Sequence, residues 1–378
     1  MSHNEKSSRN SQKSRRNAHD SFNPVAEDIR HLMQGEYANI TVEVQQALND
    51  PKYSVSRIKD DIESQRDLAL EWMEDFTEKG WTTIVFPEAY GGENDFRKQV
   101  KVSEQLAYKG GSAIIKPGVQ FNLYASALYN LGTDEQIKKW LPKALNLKNT
   151  GFFAMTEQDN GSNVYNLQTR ATYQPESKTH KIETTPGSQK RYIGNGIDGI
   201  WGVVFARADL NSGDEGVHAY HVPVREDRRG KPFDGVTIID EGRKLGLNGV
   251  DNVEIHFNGV EIPRENMLGR YGNVNKDGQY VTTIEDRRKR FFTMIGTLIQ
   301  GRAYIASGSL SMAKLGAAIV AKYGSEREQF DQNLMHFPAY RHKFMTGLAR
   351  TYALDFAKEY AIDRLNDRTE EDAVEVES

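Results

Sequence analysis

Residues 194–206 read Gly-Asn-Gly-Ile-Asp-Gly-Ile-Trp-Gly-Val-Val-Phe-Ala, and the residues after the third glycine decide the fold. A Gly-x-Gly-x-x-Gly run binds a dinucleotide when it leaves a strand and opens a helix whose N-terminus faces the pyrophosphate. Here apolar, β-branched and aromatic residues come at once, which predicts a strand over Ile200–Arg207. The glycines are therefore a turn, with Gly194 able to let backbone approach a ligand closely. The same short period runs from Gly151 to about Leu268, with further strands predicted at Ala171–Tyr173, Lys181–Thr185, His218–Val224 and Val253–Phe257. No helix of useful length fits between them, which excludes a doubly wound parallel sheet.

Outward from this β region the period lengthens. Apolar residues recur three and four apart over Ile58–Phe76 and Gln136–Leu147 on one side, and over Phe291–Lys322 and Tyr340–Leu365 on the other. Pro51, the Pro87–Gly92 segment and Gly110-Gly111 punctuate the first helical region. Leu131-Gly-Thr-Asp-Glu135 reads as a helix stop followed by a Thr133 N-cap and an acidic first turn. The expected architecture is α+β. A disordered basic tail (1–22) precedes an N-terminal α-helical domain (23–150), a central antiparallel β-barrel or sandwich (151–268), and the first part of a C-terminal helical bundle (269–378). Glu370–Ser378 is acidic and comes after a helix without a Gly or Pro stop, so the bundle is expected to be incomplete.

Bulk properties bound the function. A chain of 378 residues needs two or three packed units. With 38% apolar and 27% charged residues it has a globular composition, and it shows no long uncharged apolar run, so no membrane span is expected. A net charge of −4, spread along the chain, gives no basis for a nucleic-acid partner. The absence of cysteine excludes disulfides, thiolate catalysis and iron–sulfur clusters, and suits a reducing compartment. Met1–Phe22 lacks the apolar core of a secretory signal. His218 and His221 lie three apart on a strand, hence on opposite faces, and no metal site is expected.

At the entrance to the β region, Thr156–Asn163 (TEQDNGSN) gathers two hydroxyls, a glycine and two carboxylates expected to be exposed. Ser162 has no nucleophile-elbow context and no indicated base, which argues against a serine hydrolase. By itself this is a polar loop at a domain junction, a position where binding residues and plain surface loops both occur.

Several motifs together resemble the acyl-CoA dehydrogenase and acyl-CoA oxidase superfamily from about residue 25 onward. Phe153–Ser162 (FAMTEQDNGS) is similar to that family's T-E-x-x-x-G-S flavin loop, and Lys190–Gly196 (KRYIGNG) to its second flavin strand. Lys244–Asn252 and Ile262–Gly272 resemble the oxidase branch more than the dehydrogenases. Tyr323–Phe330 (YGSEREQF) is similar to a Y-x-x-x-R-x-x-F segment that reaches the cofactor of a neighbouring subunit.

The resemblance implies an FAD-dependent enzyme that oxidises an acyl-CoA to a trans-2-enoyl-CoA, with oxygen as acceptor. The alternatives it leaves open are a dehydrogenase passing electrons to a flavoprotein carrier and a noncatalytic acyl-CoA- and flavin-binding fragment. It implies cofactor contacts at Thr156, Gly161, Tyr192, Gly194, Arg327, Gln329 and Phe330, substrate contacts at Ser162 and Arg302, and a homodimer. Tyr192 also reads as a core residue, and Arg327 as a helix-end cation. Abstracting the α-proton needs a carboxylate held across the acyl chain from the flavin. In most of the family that glutamate lies on a later helix, and the alternative position, just before Arg302, is Gly301 here. The base is therefore expected beyond Ser378. The protein is expected in the cytoplasm, or in peroxisomes if it is eukaryotic.

Overall fold

The computed structural model describes residues 33–296 and 299–366. The basic tail 1–22 and the acidic stretch Glu370–Ser378 lie outside the described residues. The chain forms two compact units, Met1–Ala47 and Leu48–Ser378. Of the first, a turn at Gly35–Tyr37 and helix α1 (Ala38–Ala47) are described.

In the second unit, helix α2 (Ile62–Glu78) starts four residues later than the apolar pattern suggests. The Asp61 carboxylate accepts from the Ser64 N–H at 2.7 Å and so fixes the first turn, while Ile58 closes a separate short turn, Val55–Arg57. Its buried face is Leu68, Ala69, Trp72, Met73 and Phe76, the spacing of one helical stripe. Helix α3 (Phe96–Leu106) is capped in the same way by Asp95. Then α4 (Ser112–Pro117) passes through a wider, π-wound stretch, Gly118–Ala125, into α5 (Ser126–Leu131). Pro117 cannot donate to a preceding carbonyl, and the widened turns begin directly after it. Helix α6 (Asp134–Leu145) opens with the predicted Thr133 cap, completed to a reciprocal box by Gln136.

The β region is an eight-stranded sheet of β1 (Gly151–Ala154), β2 (Arg170–Gln174), β3 (Thr179–Glu183), β4 (Lys190–Gly194), β5 (Trp201–Leu210), β6 (Gly213–Pro223), β7 (Val236–Asp240) and β8 (Asn252–Pro263). The two long strands carry it. β5 pairs with β6 along one edge, while its other edge takes β1 and then β2. β8 pairs with β4 and β7 in its first half and with β3 in its second. Most pairings are antiparallel as expected, and two are not. β1 and β2 both run parallel to β5, because the chain passes along the same edge twice in one direction, linked by the loop between Met155 and Thr169. The sheet is buried on both faces, so β5 reads as a continuous apolar run. Val203 and Phe205 join the core against Leu141, Ala144 and neighbouring helix residues, whereas Val204, Ala206, Ala208 and Leu210 join a core internal to the sheet.

After a short β9–β10 pairing (Asn273–Val274 with Tyr280–Val281), helices return as α7 (Arg287–Gly296), α8 (Ile299–Glu326) and α9 (Pro338–Asn366). Between α8 and α9 lies a hairpin, β11 (Glu328–Gln329) and β12 (Gln332–Asn333). Close approach is built on glycine: a Cβ at Gly308 of α8 would lie 2.2 Å from Ile114 of α4. Ile319, Tyr323, Tyr352, Leu354, Phe356 and Tyr360 on α8 and α9 are each more than half exposed. Length and composition alone would let Arg287–Glu326 cross a membrane, since an 18-residue window there has a mean hydropathy of 1.3, of which 28% is buried.

Candidate functional site

The Thr156 loop and the Tyr192 strand, 36 positions apart, are zipped together by their backbones. The Thr156 hydroxyl donates to the Arg191 carbonyl at 2.7 Å, the Arg191 N–H donates to the Thr156 carbonyl at 3.2 Å, and the Gln158 N–H donates to the Gln189 carbonyl at 3.1 Å. Beneath them Glu157 and Lys190 form a buried ion pair at 3.1 Å. Glu157 also accepts from the Thr169 hydroxyl at 2.6 Å and from the N–H groups of Thr169 and Gln168. Burial would raise the Glu157 carboxyl, but the Lys190 charge and these hydrogen bonds outweigh it and hold the group below the usual carboxylate range. Burial pushes the Lys190 amine down to about 8, against the pull of Glu157. Glu157 is thus no exposed loop carboxylate; it is an anchor for the loop, and the sequence expectation is corrected accordingly.

Two cavities meet over this junction. One, of about 280 Å³, is bounded by Thr156, Tyr192 and Gly194, with Lys244, Val250 and Asn252 closing the far side. The other, of about 760 Å³, takes Gly161, Ser162 and Arg302 into its wall. They share Ile115, Val119, Leu123, Phe153 and Met155. Six of the nine expected contacts therefore line two adjoining, mostly apolar cavities. Tyr192 is 63% exposed with φ +61°, so it faces the cavity and is not core. Its carbonyl accepts from Asn252 at 2.9 Å, and Asn252 in turn accepts from Lys244 at 2.6 Å. The Lys244 amine sits below its ordinary value, held there by burial.

Arg327, Gln329 and Phe330 stand apart from both cavities. They are exposed at the end of α8 and in the β11–β12 hairpin. Phe330 is 89% exposed, and both turn residues, Phe330 and Asp331, have positive φ. That backbone suits a two-residue hairpin and normally selects Asn or Gly, so a phenylalanine there is costly.

A flat, largely apolar ring system fits the space. Val119, Leu123 and Phe153 supply walls, and Thr156, Lys244 and Asn252 supply a hydrogen-bonding edge. Among the described residues no carboxylate lines either cavity. Gly301 lies on the wall of the larger one, and a Cβ built on it would meet nothing within 4 Å. The helix residues Ile115, Val119 and Leu123 were missed from sequence, where they look like any core stripe. Lys244 and Asn252 had a signal, being the ends of the oxidase-like Lys244–Asn252 motif.

Consecutive family models match this chain: the acyl-CoA dehydrogenase N-terminal domain over 52–148, its middle domain over 152–260, and the acyl-CoA oxidase C-alpha1 domain over 295–377. Acyl-coenzyme A oxidase 2, peroxisomal, of Arabidopsis thaliana is 38% identical over 288 residues, covering 72% of this chain and 42% of that protein. The mouse acyl-coenzyme A oxidase-like protein is 36% identical over 273 residues, covering 70% and 43%. Among solved structures, acyl-CoA oxidase 1 of Yarrowia lipolytica superposes with a TM-score of 0.77 at 26% identity, over 94% of this chain and 54% of that one. The chain thus spans less than half the length of the curated relatives it matches. With domain models, relatives and fold in agreement, the chain belongs to the acyl-CoA dehydrogenase and acyl-CoA oxidase superfamily, on its oxidase-like branch.

Proposed function

We propose that this chain holds the FAD and the acyl-CoA of an acyl-CoA oxidase of fatty acid β-oxidation. The observation that carries this reading is the pair of adjoining cavities that share Ile115, Val119, Leu123, Phe153 and Met155, one lined by Thr156, Tyr192 and Gly194 and the other by Gly161, Ser162 and Arg302. FAD, when bound, accepts the hydride lost by the acyl β-carbon. The Thr156 loop and Tyr192–Gly194 strand hold its ring against the apolar wall, and Ser162 and Arg302 take the polar end of the thioester substrate. The apolar wall excludes water from the reacting carbons. The proton-abstracting carboxylate is a group other than those lining the described cavity.

The purified chain, loaded with FAD, tests this. Retained yellow colour, a flavin spectrum perturbed by acyl-CoA, and loss of both in Gly194→Val support the reading; a protein that retains no flavin contradicts it. Peroxide formed in air, against dye reduction without oxygen, separates oxidase from dehydrogenase chemistry in a form that turns over.

The exposure of Arg327, Gln329 and Phe330, away from the cavities at the end of α8 and in the β11–β12 hairpin, supports contact with the cofactor of a second copy, and hence a homodimer. Sedimentation of the FAD-loaded chain as a dimer, weakened by Phe330→Asn, is the expected outcome, and a monomer at all concentrations contradicts it. The naming of its plant relative as peroxisomal supports the same compartment here.

A further inference from the structure

Among the described residues that line the smaller cavity, Lys244 alone is charged; the others are apolar or glycine, apart from Thr156, Tyr192 and Asn252. Its ammonium is held in place. It donates to the Val250 carbonyl and, at 2.6 Å, to the Asn252 side chain, and Asn252 donates to the Tyr192 carbonyl at 2.9 Å. The charge is thereby tied to the strand that carries Gly194. These contacts use two of the three ammonium N–H groups among the described residues, which leaves one for a ligand. The other charges near Lys244 pair with one another: Arg66 with Asp240 at 2.7 Å and Lys116 with Asp198 at 2.6 Å, with Asp251 at 4.0 Å from Lys116. None of these five lines the cavity, so no side chain on its described wall offsets Lys244.

From this we infer that Lys244 sets the redox potential of the flavin, as the cation that meets the negative charge the ring gains on reduction. The inference rests on the flavin reading above. A neutral ring that accepts a hydride carries one negative charge afterwards. The walls of Val119, Leu123 and Phe153 displace water that would screen that charge, and a fixed cation counts for more in such a site than in bulk solvent. Lys244 stabilises the neutral oxidised ring little and the anionic reduced ring strongly, and that difference is what a potential measures.

The test is the midpoint potential of the FAD-loaded full chain, read by anaerobic reductive titration against a dye of known potential. Lys244→Met is expected to shift the balance about tenfold toward the oxidised cofactor, a fall of about 30 mV for two electrons. Lys244→Gln, which keeps a donor without the charge, is expected to fall as far, and it serves if the first variant does not fold. Lys244→Arg keeps the charge and is expected to hold the potential near that of the unaltered chain. Arg243→Met removes a neighbouring charge that is exposed and paired with Asp60 at 2.6 Å, and is expected to change nothing. An unchanged or raised potential in the neutral variants, an equal fall in Lys244→Arg or Arg243→Met, or loss of FAD from both neutral variants overturns the inference. Failure of the unaltered chain to hold FAD overturns the flavin reading itself.

Discussion

Two residues carry opposite lessons about charge in this site. Gly301 leaves open a place on the larger cavity where, on the proposed reading, a carboxylate would face the acyl chain. Gly301→Glu is expected to create exchange of the acyl α-proton with deuterated solvent, on the order of 10² to 10⁴ above the unaltered chain, the usual worth of a positioned base. Mass spectrometry of recovered acyl-CoA reads this, and exchange no faster than in the unaltered chain counts against the cavity as the acyl site. Lys190, by contrast, neutralises a carboxylate that cannot reach water. Lys190→Met leaves Glu157 charged and buried, and should cost about 3–5 kcal/mol in urea unfolding. Adding Glu157→Gln should restore part of that loss. A loss below about 1 kcal/mol would show that the hydrogen bonds of Glu157 suffice alone. The left-handed backbone at Tyr192 was not legible in sequence, because an exposed tyrosine and a core tyrosine have the same local signature.

Among the elements, α6 shows how a local signal acquires a tertiary task. Thr133 and Gln136 were readable as a cap. What was not readable is that the Gln136 side chain also donates to the carbonyls of Glu265 and Met267, at 2.8 and 2.7 Å, and so fastens the helix to the segment just after β8. Thr133→Ala is expected to cost about 1 kcal/mol, and Gln136→Ala more, because it removes the cap and both outside bonds. Chemical unfolding compares them, and equal losses would mean the outside bonds contribute nothing net. Five of the eight strands of the described sheet were located from their period, but their direction was not, since period two is the same in parallel and antiparallel strands. Only the return of the chain to one edge of β5 makes β1 and β2 parallel to it.

At the scale of the whole molecule, three histidines make stability depend on pH. His180, His218 and His221 are fully buried, and burial pushes their values down to about 4, 3 and 3. His221 is held between Trp140 and Trp201, with ring centroids 4.5 and 4.3 Å away, and is hydrogen-bonded to the Tyr124 hydroxyl at 2.9 Å. The folded values lie below the unfolded one, so below pH 6.5 the unfolded chain binds more protons. The contribution is fully present above pH 6.5 and falls as pH drops toward 4 to 3. At pH 5.5 the loss approaches about 1.4 kcal/mol for each, or about 4 kcal/mol together, relative to pH 7.5. Thermal unfolding should show this drop, reduced by about a third in His221→Phe; a midpoint flat across that range would contradict it.

The sequence by itself determined whatever acts over a few residues. The strand after Gly199, the cap at Thr133, the turn chemistry and the helical stripes all arise from period, side-chain reach and backbone freedom, which adjacent residues decide. It also marked the Thr156 loop and the Tyr192 strand, through motifs in a fixed order. Only the tertiary structure decided what those pieces face. Glu157 becomes a buried anchor because Lys190 arrives from 33 positions away, and Val119 and Leu123 become walls because the widened turns after Pro117 aim them at the loop. Lys244 joins the cavity wall because Asn252 ties it to the Tyr192 strand. Burial and cavity shape are properties of surfaces brought together by packing, and no local pattern encodes which surfaces will meet.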